Sequence, residues 1–280
     1  MIYYFAGADY HRSTPVLENY LFVWKDKGIN KLLDLTEQLE DYSHINMLVD
    51  SGAFSAYTQG KIVDIDEYIS WIKSFKSKWK GKINELNFIN LDVIGDPIGS
   101  EKNLEYMHKQ GVEVLPVLHQ AGFEEKTLER YLHEYDYICF GGMVGRPVKT
   151  DTIPWLNKCF AIIGRYYKKT KKMPKIHLLG IGNERIMYRY PAYSVDNTNW
   201  LSLFRFGRSN YLEVKHVPKG GLITIHKPYK HEDKYDYNRP EDYALVGQMM
   251  EFDVREFLKV QKDVTEFWIK RGINFNEIYN

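Results

Sequence analysis

The chain has 280 residues, 44% of them hydrophobic, with a formal net charge of +1. That length supports a core the size of one barrel domain, and the near-neutral balance excludes an overall basic field that would by itself imply nucleic acid. Two cysteines, Cys139 and Cys159, are too few for a disulfide framework or a cysteine zinc knuckle, and no stretch approaches the roughly 20 apolar residues of a membrane span.

Apolar strand-like runs alternate with amphipathic helical segments along the chain. Residues 2–6 open it, without the basic lead of a secretory leader, and a helical region is expected at about 30–40. Met47-Leu48-Val49 follows, apolar without helical spacing, as in a strand buried on both faces. A helix over about 66–78 puts Tyr68, Ile69, Ile72 and Phe75 on one face. The third strand is expected at 88–92, then a helix capped by Ser100, running to Gln110 and ended by Gly111. Strands at 114–118 and 137–140 alternate with helices at about 124–133 and 154–168. A sixth strand at 176–180 and a short seventh at 193–196 precede an eighth at 222–225 and a long helix over about 240–271. Eight such units imply a parallel sheet and an α/β fold of the (β/α)8 TIM-barrel type, one domain spanning 1–280. An open doubly wound sheet is the alternative, but no strand leads into a Gly-x-Gly-x-x-Gly helix opening.

Polar residues gather where these strands end: Asp50, Asp92, His119-Gln120, Gly141-Gly142-Met143, Gly180-Ile181-Gly182 and Asp196. In a parallel barrel the C-terminal strand ends share one mouth. Three carboxylates there would push one another's pKa values apart, which separates acid, base and nucleophile roles. The plain alternative for any one of them is a solvated Asp beside a turn. Asp196, followed by Asn197-Thr198, serves equally well on local grounds as a helix cap. The glycine pairs either expose backbone N–H donors to a ligand or are simple loop glycines.

In order along the chain, Asp50-Ser51-Gly52-Ala53-Phe54-Ser55, Leu91-Asp92, Gly141-Gly142-Met143-Val144-Gly145, His177-Leu178-Leu179-Gly180-Ile181-Gly182 and Ser194-Val195-Asp196 resemble motifs of the tRNA-guanine transglycosylase family. The resemblance is closest to the small phage and bacterial members that place 7-deazaguanine bases in DNA, and it spans about residues 46–200. It implies a TIM barrel that exchanges a polynucleotide guanine for a free base such as 7-cyano-7-deazaguanine, with no cofactor or metal, in the cytoplasm (a host's, if phage-encoded). It further implies that Asp196 is the nucleophile carrying a covalent glycosyl intermediate and Asp50 the general acid/base. Asp92 would read the ring N–H and exocyclic amine of guanine, which one carboxylate can accept together. His119 or Gln120, with the backbone N–H groups of Gly142 and Met143, would receive the carbonyl edge. Gly141 and Gly180 would complete the base site, and Phe54 or Met143 would sandwich the ring. Such chemistry suits carboxylates, because breaking an N-glycosidic bond builds oxocarbenium character and a covalent intermediate preserves configuration. The base must also leave its stack to be reached.

The chain departs from the family in three places. No cysteine follows Cys159, so the zinc subdomain of the tRNA-modifying members is not expected, and DNA is favoured over tRNA as partner. Arg146 stands where the family has Glu, and Arg205 and Arg208 lie beyond the place of the family's Arg-containing run. Arg205, Arg208, Lys227 and Lys230, interleaved with aromatics, suit a phosphate track or a solvated loop. Lys168-Lys169-Thr170-Lys171-Lys172 reads as a solvated helix end. A homodimer and no membrane association complete the expected partners. The competing functions are a metal-dependent hydrolase, whose paired histidines after the first strand are absent, and an N-glycoside or nucleoside hydrolase using the same carboxylates with water. A tRNA-guanine transglycosylase and a catalytically inactive nucleic-acid-binding protein on the same fold are the others.

Overall fold

The computed structural model describes residues 1–7, 17–25, 43–79, 81–201, 208–217, 221–230 and 240–275; between 202 and 244 the only side chain it describes is that of Glu213. The helix expected at 30–40 lies outside the described residues. Eight parallel strands form one sheet: β1 (Ile2–Ala6), β2 (Asn19–Val23), β3 (Asn46–Asp50), β4 (Glu85–Phe88), β5 (Val117–His119), β6 (Tyr137–Gly141), β7 (Lys175–Leu178) and β8 (Ser194–Asn197), in the spatial order β4-β3-β2-β1-β8-β7-β6-β5. The first and last strands of this sheet in chain order, β1 and β8, are therefore neighbours at its centre, with Tyr4 opposite Asp196. At its two ends, β4 and β5 approach through a parallel bridge between Ile89 and Leu115: the Leu115 N–H donates to the Phe88 carbonyl at 2.7 Å and the Asn90 N–H to the Leu115 carbonyl at 3.0 Å. The sheet is thus strongly curled.

In β1, β2, β3 and β6 side chains on both faces are buried, which is why these strands read as largely apolar runs. Alternate side chains supply two cores. Tyr4, Ala6, Leu21, Leu48, Ile89, Val117 and Cys139 form a compact cluster, while Tyr3, Phe5, Tyr20, Phe22, Met47, Val49, Ile138 and Phe140 join the larger cluster shared with the helices. Those helices are α1 (Ala53–Thr58), α2 (Ile65–Trp79), α3 (Pro97–Lys109), α4 (Glu125–Glu134), α5 (Ile153–Thr170), the single turn α6 (Glu184–Met187) and α7 (Pro240–Ile269). The expected apolar face of α2 is the buried one, formed by Tyr68, Ile69, Ile72 and Phe75 with Trp79. No helix among the described residues is long and apolar enough to cross a membrane.

Two expectations are corrected. The run 222–225 does not enter the parallel sheet. It lies in β10 (Gly221–Lys230), which pairs antiparallel with β9 (Arg208–Val217) in a separate two-stranded ladder. The strand that completes the eight is β2, whose Asn-Tyr-Leu-Phe-Val run is parallel to β1 and β3. Ser100 is not a cap: α3 starts three residues earlier, with Pro97 in its first turn and Asp96 Oδ1 accepting from the Gly99 N–H at 2.9 Å. Pro at the first helical position lacks only a donor that would be unpaired anyway, so the helix begins there at no cost. Gly111 follows the end of this helix with φ +76°, and Lys168 and Lys169 sit in the last turn of α5, as the sequence suggested.

Two buried tryptophans tie the loops to the strands. Trp24 Nε1 donates to the Ser51 carbonyl at 2.8 Å. Trp200 Nε1 donates to the Ala6 carbonyl at 2.9 Å, with its ring edge-on to Phe5 at 5.7 Å. Trp200→Ala is expected to cost about 3–5 kcal/mol, as a large aromatic removed from a closed core does. Trp200→Phe keeps the ring contact but removes the hydrogen bond to the Ala6 carbonyl, for about 1 kcal/mol. Denaturant midpoints with unchanged m-values would check both.

Candidate active site

Because all eight strands run the same way, their C-terminal ends lie on one edge, and the acidic residues lie there. Asp50 is the last residue of β3, and the chain turns at once: Asp50 Oδ1 accepts from the Gly52 N–H at 3.2 Å. Gly52 has φ +73°, and a Cβ there would meet Val23 Cγ1 at 2.6 Å, so both the backbone and the space require glycine. Burial pushes Asp50 up to about 6. Repulsion from Asp196 adds to this, while the Gly52 N–H, the Ser51 hydroxyl and His177 pull the other way.

Asp92 lies four residues past β4. Burial, then repulsion from Asp50, raises it to about 7 against hydrogen bonds from its own backbone and from Ser51. Its Oδ2 is 3.3 Å from His119 Nε2 at the end of β5, and Ser100 Oγ lies 3.4 Å from the same nitrogen. Burial lowers the His119 pKa, favouring the neutral ring, and its Nε2 lies between a carboxyl and a hydroxyl.

Asp196 belongs to β8. Its Oδ1 accepts from the Gly180 N–H at 2.7 Å and from His177 Nε2 at 3.1 Å. It is not a helix cap: the short turn Asn199–Leu201 is served by Asn197, whose Oδ1 accepts from the Asn199 N–H at 2.7 Å. Gly180 has φ +67°, and a Cβ there would meet Val144 Cγ2 at 2.4 Å. Its N–H is committed to Asp196, so it serves that carboxylate and not a base.

The three carboxylates act on one another. Asp196 raises Asp50, and Asp50 raises Asp92. The buried Cys139 thiol on β6, pushed up first by burial, is pushed further by Asp50, Asp196 and Asp92 together. A single side chain inside the curled sheet therefore feels all three. Asp50 and Asp92, both raised by burial and a neighbouring charge at one rim, make this edge the candidate acid–base site.

The other expected residues are placed as follows. Phe54, on α1 immediately after Gly52, is 49% exposed, whereas Met143 is buried in the larger core, so Phe54 is the side chain open to a ring. Gln120 carries a buried Oε1 without a hydrogen-bond partner among the described residues. Gly141 is buried with Val117 Cγ1 2.9 Å from where its Cβ would stand, and Gly142, at φ +77°, would place a Cβ 3.4 Å from the Gln120 nitrogen. Two cavities adjoin the rim: one of about 340 Å³ lined by Asp92, Tyr57, Lys61 and Asn103, and one of about 280 Å³ lined by His119, Glu101, Arg130 and Tyr131. Arg205 lies outside the described residues. Arg208 pairs in register with Lys230, and Lys227 with Tyr211, on the β9–β10 hairpin, whose backbone lies against α6 and α7. Among the described residues no group of three His, Cys, Asp or Glu side chains is arranged to hold a metal ion.

His177 was not singled out as a site residue from the sequence. A histidine at an interior position of the apolar strand Lys-Ile-His-Leu was the available signal. No protein-family model matches the chain, and no curated protein matches it.

Proposed function

We propose that the chain is a base-exchange transglycosylase that replaces guanine in a polynucleotide, DNA in preference to tRNA, with a free 7-deazaguanine. In this reading the curled sheet closes as a (β/α)8 barrel through the Ile89–Leu115 bridge, and the C-terminal rim is the active site. The observation that carries it is the contrast between two carboxyl groups within one field. Asp50 is raised to about 6 and so able to carry a proton near neutrality, while Asp196 has one oxygen fixed by two N–H donors. An acid/base group within electrostatic reach of a held carboxylate is what a double displacement at an anomeric carbon needs.

In the first half-reaction a carboxylate oxygen of Asp196 bonds to C1′ as the C1′–N9 bond breaks. The bonding pair leaves on N9, which takes the proton of Asp50. In the second, the incoming base gives its N9 proton to the Asp50 carboxylate and attacks C1′, and the C1′–O bond returns its pair to Asp196. Asp92 accepts the paired donors of the guanine edge, beside neutral His119. Phe54 offers its face to the ring, and the basic positions Arg205, Arg208, Lys227 and Lys230 follow the phosphates.

The test uses the purified chain, DNA carrying labelled guanine, and unlabelled 7-cyano-7-deazaguanine, with tRNA in parallel. Label release matched by uptake of the deazaguanine is the expected result. Release without uptake would identify a hydrolase, and no release from either polymer would end the proposal.

A further inference from the structure

A line of fully or nearly fully buried polar groups runs from inside the sheet to the rim. The Tyr137 hydroxyl lies 2.6 Å from Ser194 Oγ, which lies 2.7 Å from His177 Nδ1; His177 Nε2 lies 3.1 Å from Asp196 Oδ1. His177 and Ser194 have no solvent exposure, and the ring of Tyr4 packs edge-on to the imidazole at 5.9 Å. The residue types have the order of a hydrolase triad, Ser–His–Asp, yet Ser194 is sealed from any substrate, so a nucleophilic serine is excluded. The line is continuous across three strands, β6, β8 and β7, and ends on the carboxylate that the proposed reaction uses.

The donors can be counted along it. A carboxylate only accepts, so Nε2 carries a proton. With the ring neutral, Nδ1 accepts, so Ser194 donates to it and Ser194 Oγ is free to accept from the Tyr137 hydroxyl. In that arrangement every donor points toward Asp196. We infer that Tyr137 and Ser194 hold His177 in its neutral Nε2–H form, making it a positioning residue that, with the Gly180 N–H, pins Oδ1 of Asp196. The second oxygen of Asp196 accepts from no protein group among the described residues and is the one left for bonding to a ligand. Resting on the transglycosylase reading, this also assigns His177 a part in the second half-reaction: as the glycosyl ester breaks, the charge returning to the carboxylate meets a donor already in place, with no reorganisation.

Nitrogen-15 spectra of the histidine-labelled wild-type protein, with the His177 signals identified by their loss in His177→Gln, read the tautomer directly, whatever the chain catalyses. The expected result is a neutral Nε2–H ring between pH 6 and 8 that becomes a tautomer mixture in Ser194→Ala. A proton on Nδ1, on both nitrogens, or an unchanged spectrum in Ser194→Ala would overturn the inference. In base exchange, His177→Leu should lower kcat about 10²-fold with KM little changed, the scale expected when a reacting group is misplaced. His177→Gln, whose amide nitrogen replaces Nε2–H, should recover to within about tenfold of wild type. Folded His177→Leu protein with wild-type kcat would also refute the role. If the wild-type chain exchanges no base, the transglycosylase reading fails while the tautomer still decides the relay.

Discussion

Asp196→Ala is expected to abolish base exchange, lowering kcat by about 10⁴-fold or more, the scale seen when the nucleophile of a covalent mechanism is removed. The covalent protein–polynucleotide adduct expected for the wild type, detectable by denaturing electrophoresis and intact mass, should vanish with it. An adduct that survives this change would refute the assignment of the nucleophile. Asp196→Asn sharpens the experiment. Its amide oxygen can still accept from the Gly180 N–H and His177 Nε2, so the rim keeps its hydrogen bonds while the attacking anion is gone. Loss of the adduct at unchanged melting temperature would then be a chemical effect. Asp50→Asn is expected to differ: the proton carrier is missing, turnover stops, and an adduct can still form with a substrate whose leaving base needs no protonation. The two variants therefore separate bond-making from proton transfer.

How much of this was legible in the sequence depends on which property is local. The motif ends were: a carboxylate or glycine after a short apolar run is visible by inspection, and Asp50, Asp92, His119, Gly141, Gly180 and Asp196 do lie at or just past C-terminal strand ends. The partner of a strand was not. The run 222–225 has the composition of a buried strand, and nothing within those four residues says whether the neighbour is a parallel barrel strand or an antiparallel hairpin arm. The distinguishing signal lay outside it, in Pro218-Lys219-Gly220-Gly221, a turn-forming stretch between two extended runs. Asn19–Val23, apolar and aromatic over five residues, had as good a claim to the vacant place.

Side-chain commitments were equally hidden. Asp196 as cap and Asp196 as the acceptor of two N–H groups are the same local sequence, and the choice is made by Gly180, 16 residues away. That glycine looked like a ligand-binding backbone position, and its positive φ does free the N–H, but the N–H is turned to the protein's own carboxylate. Ser100 looked like a cap because serine is favoured there. The structure instead sends its hydroxyl to the Asp96 carbonyl at 3.0 Å and places it 3.4 Å from His119 Nε2, beside the site. For Asp196 and Gly180 the residue types were read correctly as special, and the partner of each, set by tertiary packing, was not contained in the neighbouring sequence.

The largest effect on stability should come from the same carboxyl groups, with a sign opposite to the ordinary surface Asp. Folded values of about 6 for Asp50 and about 7 for Asp92 lie above the usual 3.8, so between those limits the folded state holds protons that the unfolded chain has released. Their contribution is therefore fully favourable below about pH 4 and is lost as pH rises through 6 to 7. At pH 8 the cost relative to unperturbed groups is about 3 kcal/mol for Asp50 and about 4 kcal/mol for Asp92, and part of the Asp92 figure is repulsion from Asp50, so neutralising Asp50 lowers it. Asp50→Asn and Asp92→Asn remove an ionisation without removing a side chain of that size. From pH 5 to pH 8 the stability of each variant relative to wild type should grow, by about 1.5 kcal/mol for Asp50→Asn and about 2.5 kcal/mol for Asp92→Asn, read from denaturant midpoints at the two pH values. Parallel stability-against-pH curves for wild type and variants would show that the groups are not held in a desolvated, mutually repelling set. A rim that becomes more stable at pH 8 when its acids are neutralised, and inactive by the same change, is one in which burial holds proton-carrying groups near neutrality at the expense of the fold.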